Sequence, residues 1–181
     1  MSDNAGSLST RSYDKNGNLV KLETLRDGDI FDVELYAYDL ENRMTERTKL
    51  LDRADVAVSD AVAARLAVPG YPGKVRSVTG YEYDVLGNLV KEIDPRAYAF
   101  DAADAANRAL YTTTYTYDSL NRLDRTQRIV NGKPVYSQVT YDEVGNRKSM
   151  RNERGYATDY TYDALNRVLT VKDAYADVCV R

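Results

Sequence analysis

The chain has 181 residues, and its 25 Lys and Arg against 28 Asp and Glu give a net charge of -3 and a pI near 5.1, which leaves no basic footprint for nucleic acid. It has no His and 1 Cys, so histidine triads, histidine general bases, the commonest zinc ligand and any internal disulfide are excluded. No apolar run approaches the length of a membrane-spanning helix.

In chain order, Met1 to Thr10 is small and polar, lacks the basic and apolar regions of a signal peptide, and reads as a weak N-terminal cap. The repeat-bearing part is 11–181. It begins with Tyr13-Asp14 and Gly17-Asn18, then a turn signal at Asp27-Gly28, then Tyr38-Asp39 with Asn42-Arg43. An insertion at about 50–75 follows. Its Ala-rich stretch from Asp60 to Leu66, with Ser59 or Asp60 as N-cap and Pro69-Gly70 as a stop, predicts a short helix. Tyr83-Asp84 with Gly87-Asn88 leads into a return strand, Leu89 to Ile93, and a turn signal at Asp94-Pro95.

A second insertion, about 97–111, has two readings. Asp101 to Leu110 is an Ala-rich helix, or Tyr98-Ala99-Phe100-Asp101 is a degenerate copy of the repeat whose turn has swollen into a helical loop. Then come Tyr117-Asp118 with Asn121-Arg122, a turn at Asn131-Gly132, Tyr141-Asp142 with Gly145-Asn146, and turn residues from Asn152 to Gly155. Tyr162-Asp163 with Asn166-Arg167 leads into a strand through Val168 to Val171. The last residues, Asp177 to Arg181, include Cys179 and read like a strand cut short, which leans toward a fragment of something longer.

The Tyr-Asp pairs form one motif in six copies, with Asp at 14, 39, 84, 118, 142 and 163. Four copies carry a second tyrosine two residues earlier (Tyr36, Tyr81, Tyr115, Tyr160). The pairs that close the turns alternate without exception between Gly-Asn and Asn-Arg. Self-similarity of this kind marks a repeat architecture. Tyr-x-Tyr puts two aromatics on one face of a strand. Asp opens a turn by accepting backbone N–H groups just past the corner, and Gly or Asn three residues on tolerates positive φ. The combination predicts a three-residue hairpin loop, a type I turn closed by a left-handed residue in a bulge. The expected fold is all-β: an antiparallel meander of hairpins forming a curved strip or spiral segment, with one or two short helical insertions.

These residues resemble the YD repeats of the Rhs proteins, of the Tc-toxin C component and of the teneurins. Tyr81 to Val90 and Tyr160 to Leu169 carry the resemblance most fully, and it extends over about 11 to 173. The resemblance implies a β-shell wall that encloses or presents a toxin or other cargo, and a secreted or cell-surface setting. It implies further YD repeats and a toxin cargo as partners, while the charge and the apolar runs predict no nucleic acid and no membrane span. The self-cleaving Asp-Pro-x-Gly-Leu signature of many Rhs cores is missing, since Asp94-Pro95-Arg96-Ala97 lacks its Gly and Leu.

The expected role is a structural scaffold and not an enzyme, with no catalytic residue, cofactor or metal. The residues that matter are then the motif itself: Tyr13, Asp14, Gly17, Tyr38, Asp39, Asn42, Tyr83, Asp84, Gly87, Tyr117, Asp118, Asn121, Tyr141, Asp142, Gly145, Tyr162, Asp163 and Asn166. Turn capping accounts for the aspartates without calcium. The arginines of the Asn-Arg pairs are expected to reach back to a turn aspartate, their own or a neighbour's. Two other readings stand: a repeat protein that assembles into a ring or filament through its strand edges, and a carbohydrate or cell-surface adhesion module built on the tyrosine rows.

Overall fold

The computed structural model describes residues 8–27, 30–101 and 103–174. The Asp27-Gly28 turn, most of the polar N-terminal segment and the stretch from Asp177 to Arg181 lie at least partly outside them. The described residues form twelve strands: β1 (Ser9–Tyr13), β2 (Leu19–Asp27), β3 (Ile30–Tyr38), β4 (Met44–Asp52), β5 (Lys74–Tyr83), β6 (Leu89–Ile93), β7 (Thr112–Tyr117), β8 (Leu123–Val130), β9 (Lys133–Tyr141), β10 (Arg147–Arg151), β11 (Ala157–Tyr162) and β12 (Val168–Asp173). Their hydrogen-bonded order is their sequence order, an antiparallel meander. The chain divides into two compact units, Met1–Glu82 with Glu92–Tyr111, and Tyr83–Lys91 with Thr112–Arg181.

One register runs through both units. The residue seven after a turn aspartate faces the residue four before the next one: Lys21 opposite Leu35 and Glu46 opposite Gly80 in the first unit, Arg125 opposite Gln138 and Ser149 opposite Asp159 in the second. A bulge at the Tyr-Asp tyrosine closes the hairpins of Tyr13, Tyr38, Tyr117, Tyr141 and Tyr162, as where Tyr13 pairs Leu19 and Tyr162 pairs Val168. A repeated turn fixes a repeated register, because a one-residue slip would turn every side chain to the wrong face.

The first unit holds the core. The first insertion folds α1 (Asp60–Arg65) onto the sheet, and Ala63, Leu66 and Val75 bury against Val56, Val58, Val62 and Tyr98. Ser59 is the N-cap, its hydroxyl accepting the Val62 amide. The Arg53 guanidinium donates to the Val56 and Val58 carbonyls at 3.0 Å each, which ties the loop before the helix. Val78 and Ala97 are nearly inaccessible, at 1% and 0% exposure.

The second insertion contains a 3-10 turn at Pro95–Ala99 and a helix, α2 (Ala105–Ala109), and its base is closed by the Asp94 amide donating to the Tyr111 carbonyl at 2.9 Å. Asp94-Pro95 therefore opens a 3-10 turn rather than a hairpin reversal. The segment combines the two readings: it starts like a repeat turn at Asp101 and continues into a short helix. Asp101 still accepts the Ala103 amide on its carboxylate and the Asp104 amide on its carbonyl, as a repeat turn does. Asp104, however, has φ -86 where a repeat has its left-handed residue, so the bulge never closes and Asp104 caps α2 instead. Tyr98 sits in the 3-10 turn, against Gly80, where an added Cβ would collide with its hydroxyl.

In the second unit no described residue from β7 to β12 is fully buried. It is a single layer of sheet.

Candidate functional site: the column of turns

Each Tyr-Asp turn has one geometry. The Asp14 amide donates to the Asn18 carbonyl at 2.9 Å and the Gly17 amide to the Asp14 carbonyl at 3.2 Å. Asp14 Oδ1 accepts the amides of Asn16 and Asn18 at 2.9 and 2.8 Å. The carboxylate thus serves the second and fourth residues after it, where sequence reasoning placed the first and second past the corner. The third residue has positive φ in every copy: Gly17 87°, Asn42 61°, Gly87 88°, Asn121 65°, Gly145 97° and Asn166 59°. Asn152 builds the same turn without a Tyr-Asp pair, its Oδ1 accepting the Arg154 and Tyr156 amides and Gly155 closing at φ 89°. Asn131 and Gly132, both left-handed at 51° and 73°, form the two-residue loop between β8 and β9.

The alternation of Gly-Asn with Asn-Arg has a physical reason that the sequence did not reveal. In a Gly-Asn turn the Asn amide nitrogen donates twice. Asn88 Nδ2 reaches Asp84 Oδ2 at 2.9 Å and Oδ1 of Asn121, in the next turn, at 2.6 Å. Asn146 does the same to Asp142 and Asn166, both at 3.0 Å, and Asn18 to Asp14 and Asn42 at 3.0 and 2.7 Å. The left-handed Asn of an Asn-Arg turn is therefore an acceptor for the turn before it.

An Asn-Arg turn closes on itself through its arginine. Arg43, Arg122 and Arg167 each donate Nε to their own turn aspartate at 2.7 Å. Arg122 also lies over the ring of Tyr141, in the following Gly-Asn copy, 4.2 Å from its centroid. Each Gly-Asn turn is thus joined to the Asn-Arg turn after it by an amide bridge, and the Asn121-Arg122 turn to the Gly145-Asn146 copy by an arginine–tyrosine stack.

The Tyr-Asp tyrosines add a third link through their hydroxyls. Tyr38 donates to the Leu19 carbonyl, Tyr117 to Leu89, Tyr141 to Leu123 and Tyr162 to Arg147, at 2.9 to 3.0 Å. In each case the acceptor is the fifth residue after the preceding turn aspartate. Phenylalanine could not make this bond, which explains why tyrosine fills the column.

All six turn carboxylates titrate below the usual aspartate range. The chief cause is the Asn18 side-chain amide for Asp14, the Asn88 side-chain amide for Asp84, the Arg122 side chain for Asp118 and the Arg167 backbone amide for Asp163. For Asp39 and Asp142 the largest influence is desolvation, which raises them, and the bonds from Arg43 and Asn146 together outweigh it. No group of three or more metal-ligating side chains occurs among the described residues.

Two surface features accompany the column. Between the last two turns lies an open groove of about 560 Å3 lined by Tyr141, Asp142, Asn146, Tyr162, Asp163 and Asn166. Its Asp142, Asp163 and Asn166 oxygens already accept bonds within the column. The second residue after the aspartate, which the sequence showed only as variable, is exposed and apolar in four turns of the second unit: Leu86, Leu120, Val144 and Leu165.

The class this geometry defines is a YD-type hairpin repeat. Residues 141–178 match the model of the RHS Repeat family, so that stretch carries an RHS repeat. No curated protein matches the sequence. Among solved structures, the crystal structure of TcdB2-TccC3-Cdc42 is 13% identical, with a TM-score of 0.49, over 93% of this chain and 9% of that one. The pore of the Photorhabdus luminescens Tc holotoxin gives the same values. TcdB2-TccC3-TEV is 16% identical, with a TM-score of 0.45, over 90% of this chain and 10% of that one. The chain spans about a tenth of the length of these structures. No described helix is long and apolar enough to cross a membrane.

Proposed function

We propose that this chain is a non-catalytic repeat scaffold, a segment of an Rhs-type β-shell whose open sheet face encloses or presents a polypeptide cargo. The observation that carries the reading is the single-layer second unit: β7 to β12 are joined at their turns, yet no described residue in them is fully buried. A sheet normally buries one face on another layer. Here the turn column supplies the order that a core supplies elsewhere, and the faces stay available. The motif carboxylates are acceptors for backbone amides and for Asn or Arg side chains, so they are engaged in architecture rather than held ready for proton transfer.

The test is hydrogen exchange of the chain with and without a reduced, permanently unfolded polypeptide. Protection spreading over the strands of the second unit supports the reading. Binding to a folded protein with equal strength, or no protection at saturating polypeptide, overturns it.

A further inference from the structure

We infer that the Asn152 turn and the arginines beside it form a binding pocket for a phosphate group, at the opposite end of the strands from the Tyr-Asp turns of the second unit. The inference does not rest on the cargo reading. Every residue in it belongs to β8 to β11 or to the loops between them. The β10–β11 loop and the start of β9 enclose an open pocket of about 200 Å3, whose lining includes Tyr136, Arg151, Asn152, Glu153, Arg154 and Gly155.

Neither Arg151 nor Arg154 has a carboxylate partner among the described residues. The acid of the lining is Glu153, and Arg128 holds both its oxygens, through Nε at 2.7 Å and Nη2 at 2.6 Å. With that charge matched, two positive charges remain in the pocket. Elsewhere the arginine of a turn is taken up by the turn itself, since Arg43, Arg122 and Arg167 each donate to their own aspartate. Arg151 lies instead over the Tyr136 ring, 5.1 Å from its centroid, and Arg125 lies over the same ring at 4.3 Å. Such a contact orients a guanidinium and leaves its N–H groups free for an anion. A Cβ at Gly155 would rest 3.9 and 3.4 Å from Nε and Nη2 of Arg151, so glycine leaves that edge of the fork bare.

The turn residue completes the site. Where the six Tyr-Asp turns carry aspartate, this one carries Asn152, whose Oδ1 accepts the Arg154 and Tyr156 amides at 3.0 and 3.1 Å without a negative charge. An aspartate there would make the same turn and would place a carboxylate beside both free arginines. The charge of the lining therefore suits a phosphate dianion, whose oxygens accept from the planar guanidinium fork. A pocket this small and open takes the phosphate and the few atoms next to it, not a large ligand. That group is supplied by free phosphate or by a phosphorylated side chain.

The test titrates the full chain with inorganic phosphate, against sodium chloride of equal ionic strength, and follows the backbone amides by NMR. Saturable shifts at Arg151, Arg154 and Gly155 in phosphate and not in chloride are the expected result. No shift there, or equal shifts at an exposed arginine outside the pocket such as Arg147, overturns the inference. A blocked phosphoserine is the second probe. Tighter binding than inorganic phosphate assigns the ligand to a phosphorylated chain, and equal or weaker binding to free phosphate. Asn152→Asp restores the residue of the other turns, so its circular dichroism and melting temperature should match the parent, while its dissociation constant for phosphate should rise about fivefold or more. Arg151→Ala should raise that constant about tenfold, and Arg147→Ala should leave it unchanged. Parent-like phosphate binding by Asn152→Asp, or an equal loss in Arg147→Ala, overturns the pocket.

Discussion

The amide bridge between successive turns gives a prediction with a number. Asn121 holds φ 65° and accepts Asn88 Nδ2 at 2.6 Å on an exposed face. Replacing Asn121 by Gly relieves left-handed backbone strain of about 1 kcal/mol and removes an acceptor worth about 0.5–1 kcal/mol. The single substitution should therefore be nearly neutral, and by itself uninformative. The double-mutant cycle with Asn88→Ala isolates the bridge. Its coupling energy should be about 0.5–1 kcal/mol, because once Asn88 is gone, losing the acceptor no longer matters.

The control pairs Asn88→Ala with Asn166→Gly, whose bridge comes from Asn146. That cycle should be additive within about 0.3–0.5 kcal/mol. Repeat proteins open locally, so global urea melts should be accompanied by hydrogen exchange at the Asp118 amide, which donates to the Arg122 carbonyl at 2.9 Å. If the Asn88/Asn121 coupling is no larger than the control, the bridge does not hold turns together, and the account of the alternation is wrong.

Other substitutions test the turn and the insertion. Gly87→Val forces a β-branched residue to φ 88°, and should lower stability by at least about 1–2 kcal/mol in urea melts, whereas Gly87→Asn should be mild. Gly80→Ala sets a methyl group against the Tyr98 hydroxyl and should destabilise by about 1–3 kcal/mol; Tyr98→Phe, which deletes that hydroxyl, should recover part of the loss. Acid should loosen the turns in a defined window. The six carboxylates titrate below the reference value of 3.8, so their stabilisation is complete above that pH and is lost as pH falls through the folded values below it. The Asn152 turn, which accepts the equivalent amides without a charge, should keep its exchange protection in the same acid titration.

The sequence by itself determined the hairpins. Asp followed three residues later by Gly or Asn admits few backbone paths, and Ser59 before an Ala-rich run is a local N-terminal signal, so the repeat turns and α1 were legible without neighbours. What lay beyond one turn was not legible. Nothing local says that Asn88 reaches Asn121, or that the Tyr117 hydroxyl seeks the Leu89 carbonyl, because those partners meet only once the strands are in register. The second insertion left two readings open for a related reason. Asp101 starts a repeat turn on local chemistry, but Asp104 takes φ -86° and its carboxylate caps a helix by accepting the Asn107 amide instead. The tertiary structure alone decided where the core sits and that β7 to β12 form an uncovered layer, since burial depends on what packs against a face and alternation along a strand records only that two faces exist.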